Sequence, residues 1–284
     1  MDNEPEMTPP GEASLAEPSV SSAPQGMNLQ EIAFQPVIAA NDLSTGFGEA
    51  EILHNISVEI QRGAITSLIG PTGSGKSTFL RTLNRMNDRV AGFHHTGDVC
   101  LDGQSIFGSG TDLLALRRKV GMLFQRPNPF PMSIRDNVVA GVKAHRMAKS
   151  KHFTTIAEAR LTQVGLFDAV KDRLNRSPFE LSGGQQQLLC LARALAVEPD
   201  VLLLDEPTSS LDPGTTERVE ELISALTPAL SVVVVTHNLG QARRLSDRTI
   251  LFFNGRLIEE AATDVLFESP IHETTAQYVS GRMG

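Results

Sequence analysis

Short apolar stretches alternate with segments of helical spacing along most of the chain. Val37 to Leu43 and Ile56 to Ile60 carry the composition of short strands, and Ala64 to Ile69 reads as a buried strand that ends on a glycine. Directly behind it, Phe79, Leu80, Leu83 and Met86 recur at helical spacing, which predicts a helix over Lys76 to Met86. Val99 to Leu101 followed by Asp102-Gly103 predicts part of a hairpin, and Val120 to Phe124 a further strand.

The pattern changes near Pro127. Pro127, Pro129 and Pro131 punctuate the chain, and helical spacing then runs through Ile134 to Met147 and Ile156 to Phe167, which predicts an α-helical insertion. Alternation returns with a helix over Gly184 to Ala196, a strand over Val201 to Leu204, a helix over Thr215 to Leu226 and a strand over Val232 to Thr236. Short apolar strands alternating with helices imply a mainly parallel sheet covered on both faces. Ile250 to Gly284 reads as less regular, and no internal repeat is visible.

Composition narrows the class. The chain has 284 residues, 40% hydrophobic and 20% charged, enough for one domain with a smaller inserted lobe. No apolar run approaches the roughly 18 residues that span a bilayer, so a membrane role has to come through partners. Met1 to Gly26 holds five prolines and five acidic residues without Lys or Arg; it lacks the basic and apolar regions of a signal peptide and reads as a disordered tail. Without it the net charge moves from −8 to about −3, a balance that argues against non-specific binding along nucleic acid. Cys100 and Cys190 form neither a CxxC nor a Cys/His cluster, which fits a reducing, cytoplasmic setting.

The chemistry begins at Gly70-Pro71-Thr72-Gly73-Ser74-Gly75-Lys76-Ser77, which fits GxxxxGK[ST] between a predicted strand and a predicted helix. Glycines there let successive N–H groups turn towards phosphate oxygens, and the helix start adds partial positive charge. Lys76 is then placed to reach the β and γ phosphates of a nucleotide and Ser77 to hold Mg²⁺, with Thr78 closing the set. Asp205 follows the apolar strand Val201 to Leu204 and is the candidate carboxylate on the metal side. Glu206 is the candidate general base for water attacking the γ-phosphate.

Leu181-Ser182-Gly183-Gly184-Gln185 separates this chain from other P-loop proteins. With that pentapeptide ahead of Asp205-Glu206, the chain resembles the ABC ATPase family, whose signature this is. The resemblance implies an α/β fold: a P-loop NTPase core with a mainly parallel sheet, an antiparallel β subdomain and an inserted α-helical subdomain. It covers one ATPase domain over 36–284, with the helical insertion at about 127–178, and excludes the acidic, Pro-rich tail, read from composition as disordered over 1–35. Position by position, Gln125 matches the Q-loop glutamine that contacts metal and water. Ser210, Leu211 and Asp212 match the D-loop at the dimer interface, and His237 matches the switch histidine at the γ-phosphate. Phe47 falls where the family stacks an aromatic ring on adenine, with a core position as the alternative. ATP and Mg²⁺ are the implied cofactors. A second ATPase subunit is the implied partner, because the cradle of one chain faces the signature of the other.

Further segments resemble the ATP-binding subunits of bacterial phosphate importers: Asn84 to Asp88, Arg126 to Ile134, Gln185 to Gln187 and the ending Tyr278 to Gly284. That resemblance implies a peripheral protein on the cytoplasmic face of the cell membrane, joined to two membrane-spanning permease subunits. An extracytoplasmic phosphate-binding protein is an indirect partner, and no nucleic acid is implied. Leu188 stands where the family usually carries Arg or Lys, and Phe47 replaces the common Tyr. Import of another solute is the alternative. A soluble ABC ATPase of DNA repair or translation fits less well, since one domain is present and Gln125 and Ser182 enclose only a short insertion.

Overall fold

The computed structural model describes residues 36–209 and 211–283; the tail expected over 1–35, Ser210 and Gly284 lie outside them. Two sheets organise the chain. Strands β1 (Pro36–Phe47), β2 (Ala50–Gln61), β4 (Phe93–Leu101) and β5 (Gln104–Ser105) form an antiparallel sheet in the order β2-β1-β4-β5. The second sheet runs β10-β9-β3-β8-β7-β6, built from β3 (Ile65–Ile69), β6 (Val120–Leu123), β7 (Val201–Asp205), β8 (Ser231–Val235), β9 (Arg248–Phe253) and β10 (Arg256–Ala262). Its strands are parallel except the edge strand β10, which pairs antiparallel with β9.

Every residue of β3, β7 and β8 is buried, as expected for parallel strands covered on both faces. The period of two divides their side chains between two cores. Leu203, Val233 and Val235 pack with Phe79, Leu80 and Leu83 from the segment around helix α1 (Lys76–Thr82). Leu202, Leu204, Val232 and Val234 pack on the other face with the helical insertion. That insertion comprises α3 (Ile134–Ala144), α4 (Phe153–Gln163) and α5 (Phe167–Val170), lying beside α6 (Gly183–Leu195); α2 (Leu113–Lys119) precedes β6. Val138, Val139, Leu161, Leu189 and Leu195 join its core, each contributing about 1.5–3 kcal/mol by burial.

Two expectations change. The helix predicted to Met86 ends at Thr82, although Leu83 remains fully buried. Arg85 adopts a left-handed φ of 58°, its N–H donates to the Thr82 carbonyl, and the Met86 N–H reaches back to the Arg81 carbonyl. This paired closure turns the chain while preserving the apolar spacing that suggested a longer helix. The stretch after Ile250 is also regular: the β9–β10 hairpin is followed by α9 (Thr263–Glu268) and α10 (Glu273–Val279). Helices α7 (Pro213–Leu226) and α8 (Leu239–Leu245) complete the core.

Candidate functional site

Four adjacent strands end at the same edge of the parallel sheet, in the spatial order β3, β8, β7, β6. The loop Gly70–Gly75 follows β3, His237 follows β8, Glu206 follows β7 and Gln125 follows β6. Chain segments far apart in sequence thus converge at the carboxyl ends of parallel strands, the usual ligand position in such sheets. A cavity of about 610 Å³ lies there, lined by Thr72, Gly73, Gly75, Lys76, Ser77, Thr78, Gln125, Glu206, His237 and Ile52.

The loop needs its glycines for space as well as backbone freedom. A Cβ on Gly70, at φ 138°, would stand 2.0 Å from the Phe252 carbonyl oxygen, and Gly75 adopts φ 99° as it opens α1. Lys76 is only 4% exposed and turns its ammonium onto the loop itself. It donates to the carbonyls of Gly70 and Pro71, both at 2.7 Å, and to the Ser74 hydroxyl at 3.3 Å. These bonds satisfy the charged group, and burial lowers the lysine to about 8 against the opposing pull of Glu206 and Asp205. Gly70, Pro71 and Ser74 therefore act at the back of the cradle.

Asp205 and Glu206 are neighbours in sequence but serve different places. Asp205 is 2% exposed; its Oδ1 accepts from the Ser77 hydroxyl at 2.8 Å and its Oδ2 from Arg81 Nη2 at 2.9 Å. The backbone turns left-handed at Glu206, with φ 49°, while the Glu206 N–H bonds to the Val235 carbonyl. That turn sends the second carboxylate into the cavity, the kind of strained geometry that persists when its surroundings hold it. There Gln125 Nε2 donates to Glu206 Oε2 at 2.8 Å, and His237 Nε2 lies 2.8 Å from Glu206 Oε1. Gln125 thus engages the carboxylate next to the cavity rather than the Ser77–Asp205 pair.

Other expected positions lie apart. Phe47 ends β1 and packs against Phe93 with ring centroids 5.6 Å apart; Ile52 lines the cavity and Phe47 does not. Ser182 caps α6 in a capping box, accepting from Gln185 N–H at 3.3 Å while the Gln185 side chain accepts from Ser182 N–H at 3.2 Å. None of Leu181, Ser182, Gly183, Gly184 or Gln185 lines the cradle cavity. Asp212 caps α7 by accepting from Thr215 N–H and hydroxyl at 3.0 and 2.7 Å, bonds that hold its carboxyl below the usual range. Leu211 follows a turn closed by its N–H on the Thr208 carbonyl.

An ABC transporter model matches residues 53–209. The chain belongs to the ABC transporter family. It is 65% identical over 242 residues to the Phosphate import ATP-binding protein PstB of Mycobacterium intracellulare, covering 85% of each chain. It is 63% identical over 249 residues to the Phosphate import ATP-binding protein PstB 2 of Mycobacterium tuberculosis, covering 88% of this chain and 90% of that one. A solved dimeric ATP-binding cassette, in a post-hydrolysis state with ADP and Pi bound, superposes with a TM-score of 0.70 at 30% identity, covering 80% of this chain and 98% of that one. As an ABC transporter ATPase, the protein binds ATP. Among the described residues no helix is long and apolar enough to cross a membrane.

Sequence reasoning missed Arg81 at this ABC site. Its position four residues after Ser77 places both on one face of α1, and that spacing was the available signal. It also missed Asn137, fully buried at the start of the insertion. Asn137 Oδ1 accepts from Phe130 N–H at 2.7 Å, and Nδ2 donates to the carbonyls of Phe130, Met132 and Ser133 at 3.0–3.1 Å. Arg193 from α6 adds bonds to the Asn128 carbonyl and side chain at 3.0 and 2.7 Å, with its guanidinium 4.2 Å from the Phe130 ring centre. The proline-rich loop is consequently fixed to the helix that starts at the signature, with Phe130 and Met132 exposed on it.

Proposed function

We propose that this ABC ATPase hydrolyses ATP to energise import of inorganic phosphate, working as one half of a dimer on two membrane-spanning permease subunits. The observation that carries hydrolysis is the Glu206 carboxylate, held between Gln125 and His237 at 2.8 Å on each side and facing the Lys76 cradle. The phosphate reading rests on the two mycobacterial phosphate import proteins, matched at 63–65% identity across most of both chains. The protein acts at the cytoplasmic face of the membrane, and an extracytoplasmic phosphate-binding protein supplies the cargo.

The cradle's own residues account for the chemistry. ATP phosphates compete with the Gly70 and Pro71 carbonyls for the Lys76 ammonium, so the lysine exchanges internal bonds for charge-assisted ones. Ser77 and Asp205 would hold Mg²⁺: a hydroxyl and a carboxylate 2.8 Å apart are the hard oxygen donors that this ion takes alongside phosphate oxygens. When bound, Mg²⁺ neutralises charge on the phosphates. Glu206 accepts a proton from water as the water oxygen bonds to the γ-phosphorus, and the bond from that phosphorus to the β–γ bridging oxygen breaks, leaving ADP and phosphate. Gln125 and His237 orient the carboxylate and the water.

The dimer is supported by the placement of Leu181–Gln185 away from the cavity on their own chain. Free N–H groups at the start of α6 would meet the nucleotide held by a second copy. The loop carrying Phe130 and Met132, together with the insertion, would face the permease.

The decisive experiment reconstitutes the complete complex in vesicles and measures labelled phosphate uptake with ATP on the ATPase side. ATP-dependent uptake that unlabelled phosphate competes away, and that sulfate does not, is the expected result. Uptake of a different solute with phosphate ignored would overturn the cargo reading.

A further inference from the structure

The geometry points to Gln241 as a positioning residue that locks His237 to the turn after Glu206; this rests on the hydrolytic roles proposed for Glu206 and His237. Gln241 lies in α8 and is 1% exposed, so its amide cannot turn to water for partners. Its Oε1 accepts from the Thr236 hydroxyl at 2.7 Å. Its Nε2 donates to the Thr208 hydroxyl at 2.9 Å and to Glu220 Oε1 at 3.0 Å. All three side-chain bonds run to elements other than its own helix.

The identity of those elements gives the amide its meaning. Thr236 immediately precedes His237 at the end of β8. Thr208 follows Glu206 by two residues, in the turn whose Ser209 N–H bonds to the Glu206 carbonyl. Glu220 belongs to α7, the helix that Asp212 caps, and Arg244 Nη2 donates to both its carboxylate oxygens at 3.1 Å. One side chain therefore ties together the backbone supports of both members of the 2.8 Å His237–Glu206 pair and the helix beyond the Asp212 turn. Glu206 and His237 also line a second cavity, whose walls include Thr208, Thr236, Glu220 and Gln241, so no solid core stands behind the pair. With open space on that side, the amide network supplies the rigidity that packing provides elsewhere.

The hydroxyls add directionality. Thr236 Oγ1 gives its proton to Gln241 and accepts from Asn238 N–H at 3.0 Å, while Asn238 Oδ1 accepts from Gln241 N–H at 3.0 Å. The segment 236–241 is thus closed on itself with His237 projecting from it. A shift of Thr208 is transmitted to His237 through a single amide.

The test uses the complete transport complex. Gln241→Leu keeps similar bulk and removes every side-chain bond, so kcat for ATP falls by about tenfold or more, since small misplacements of catalytic groups are costly. Nucleotide affinity stays within about threefold, because no cradle contact is touched. In a His237→Ala background the same change has less than about a twofold further effect, since its target is already gone. The double substitution Gln241→Glu with Glu220→Gln keeps an amide–carboxylate pair with donor and acceptor exchanged, and restores at least about half of kcat. If Gln241→Leu does not assemble, that double variant and Gln241→Glu alone, which sets two carboxylates together, carry the comparison. Loss of affinity equal to the loss of kcat, full additivity with His237→Ala, or failure of the exchanged pair to rescue overturns the assignment. Unchanged kcat in His237→Ala itself would instead overturn the catalytic reading on which the assignment rests.

Discussion

His237 Nε2 stands 2.8 Å from Glu206 Oε1, joining the ends of two adjacent strands through a carboxylate that also receives Gln125. Glu206→Gln retains the size and a hydrogen-bonding side chain but removes the basic oxygen. Its kcat should fall at least about a hundredfold, in the range typical for loss of general-base catalysis, while ATP still binds. Single-turnover hydrolysis and equilibrium nucleotide binding separate the two effects; turnover near the wild-type rate would remove Glu206 from this role.

Asp205→Asn tests the metal side. The change removes one negative charge but leaves the Arg81 cation beside Ser77, so divalent cations meet a less attractive site. The Mg²⁺ concentration for half-maximal nucleotide binding should rise by about tenfold or more, as read by titrating Mg²⁺ against a fluorescent ATP analogue. An unmoved titration curve would mean that Asp205 is structural.

Lys76 predicts a pH dependence with a definite sign. In the free protein burial holds it at about 8, so it is half deprotonated near that pH and largely neutral above it. Nearby phosphates favour the ammonium and raise its pKa, so binding takes up protons and affinity weakens as pH rises past about 8. Calorimetry at pH about 8.5, in two buffers of different ionisation enthalpy, should reveal that uptake. For the empty protein the sign is opposite: the unfolded chain binds more protons between about 8 and 10.5, and this lysine's contribution to stability rises with pH across that window.

Asn137→Ala should loosen the loop that carries Phe130 and Met132 while leaving the cradle intact. Five hydrogen bonds lose their side-chain partner, one of them from Arg193, and the expected cost is about 1–3 kcal/mol in chemical denaturation. Cleavage near 128–132 under limited proteolysis should appear at protease levels that spare the wild type. In vesicles the variant should bind ATP normally and transport less phosphate per ATP; unchanged coupling would confine Asn137 to folding.

What was legible in the chain followed from contiguity. The cradle keeps its glycines, lysine and serine within eight consecutive residues, and the fully buried strands announce themselves as apolar runs. Arg81 and Gln241 escaped because their importance lies in partners 124 and 33 positions away, and an arginine or glutamine on a short helix reads as surface. The end of α1 was misplaced because Leu83 and Met86 continue the apolar spacing through a turn that only Arg85's left-handed backbone reveals. Phe47 lies beyond the strand read at Val37 to Leu43: β1 runs on to it, and a two-residue closure at Gly48-Glu49 pairs it with Ala50, outside the cavity lining.

The position of Leu181–Gln185 outside their own chain's cavity bears on heredity as well as assembly. In the dimer proposed above, a chain with a damaged Ser182 silences the site built around its healthy partner's Lys76, while its own Lys76 faces the partner's intact signature. A cell carrying both versions would therefore form mixed pairs in which the intact copy is impaired, and the lesion would behave as a dominant trait.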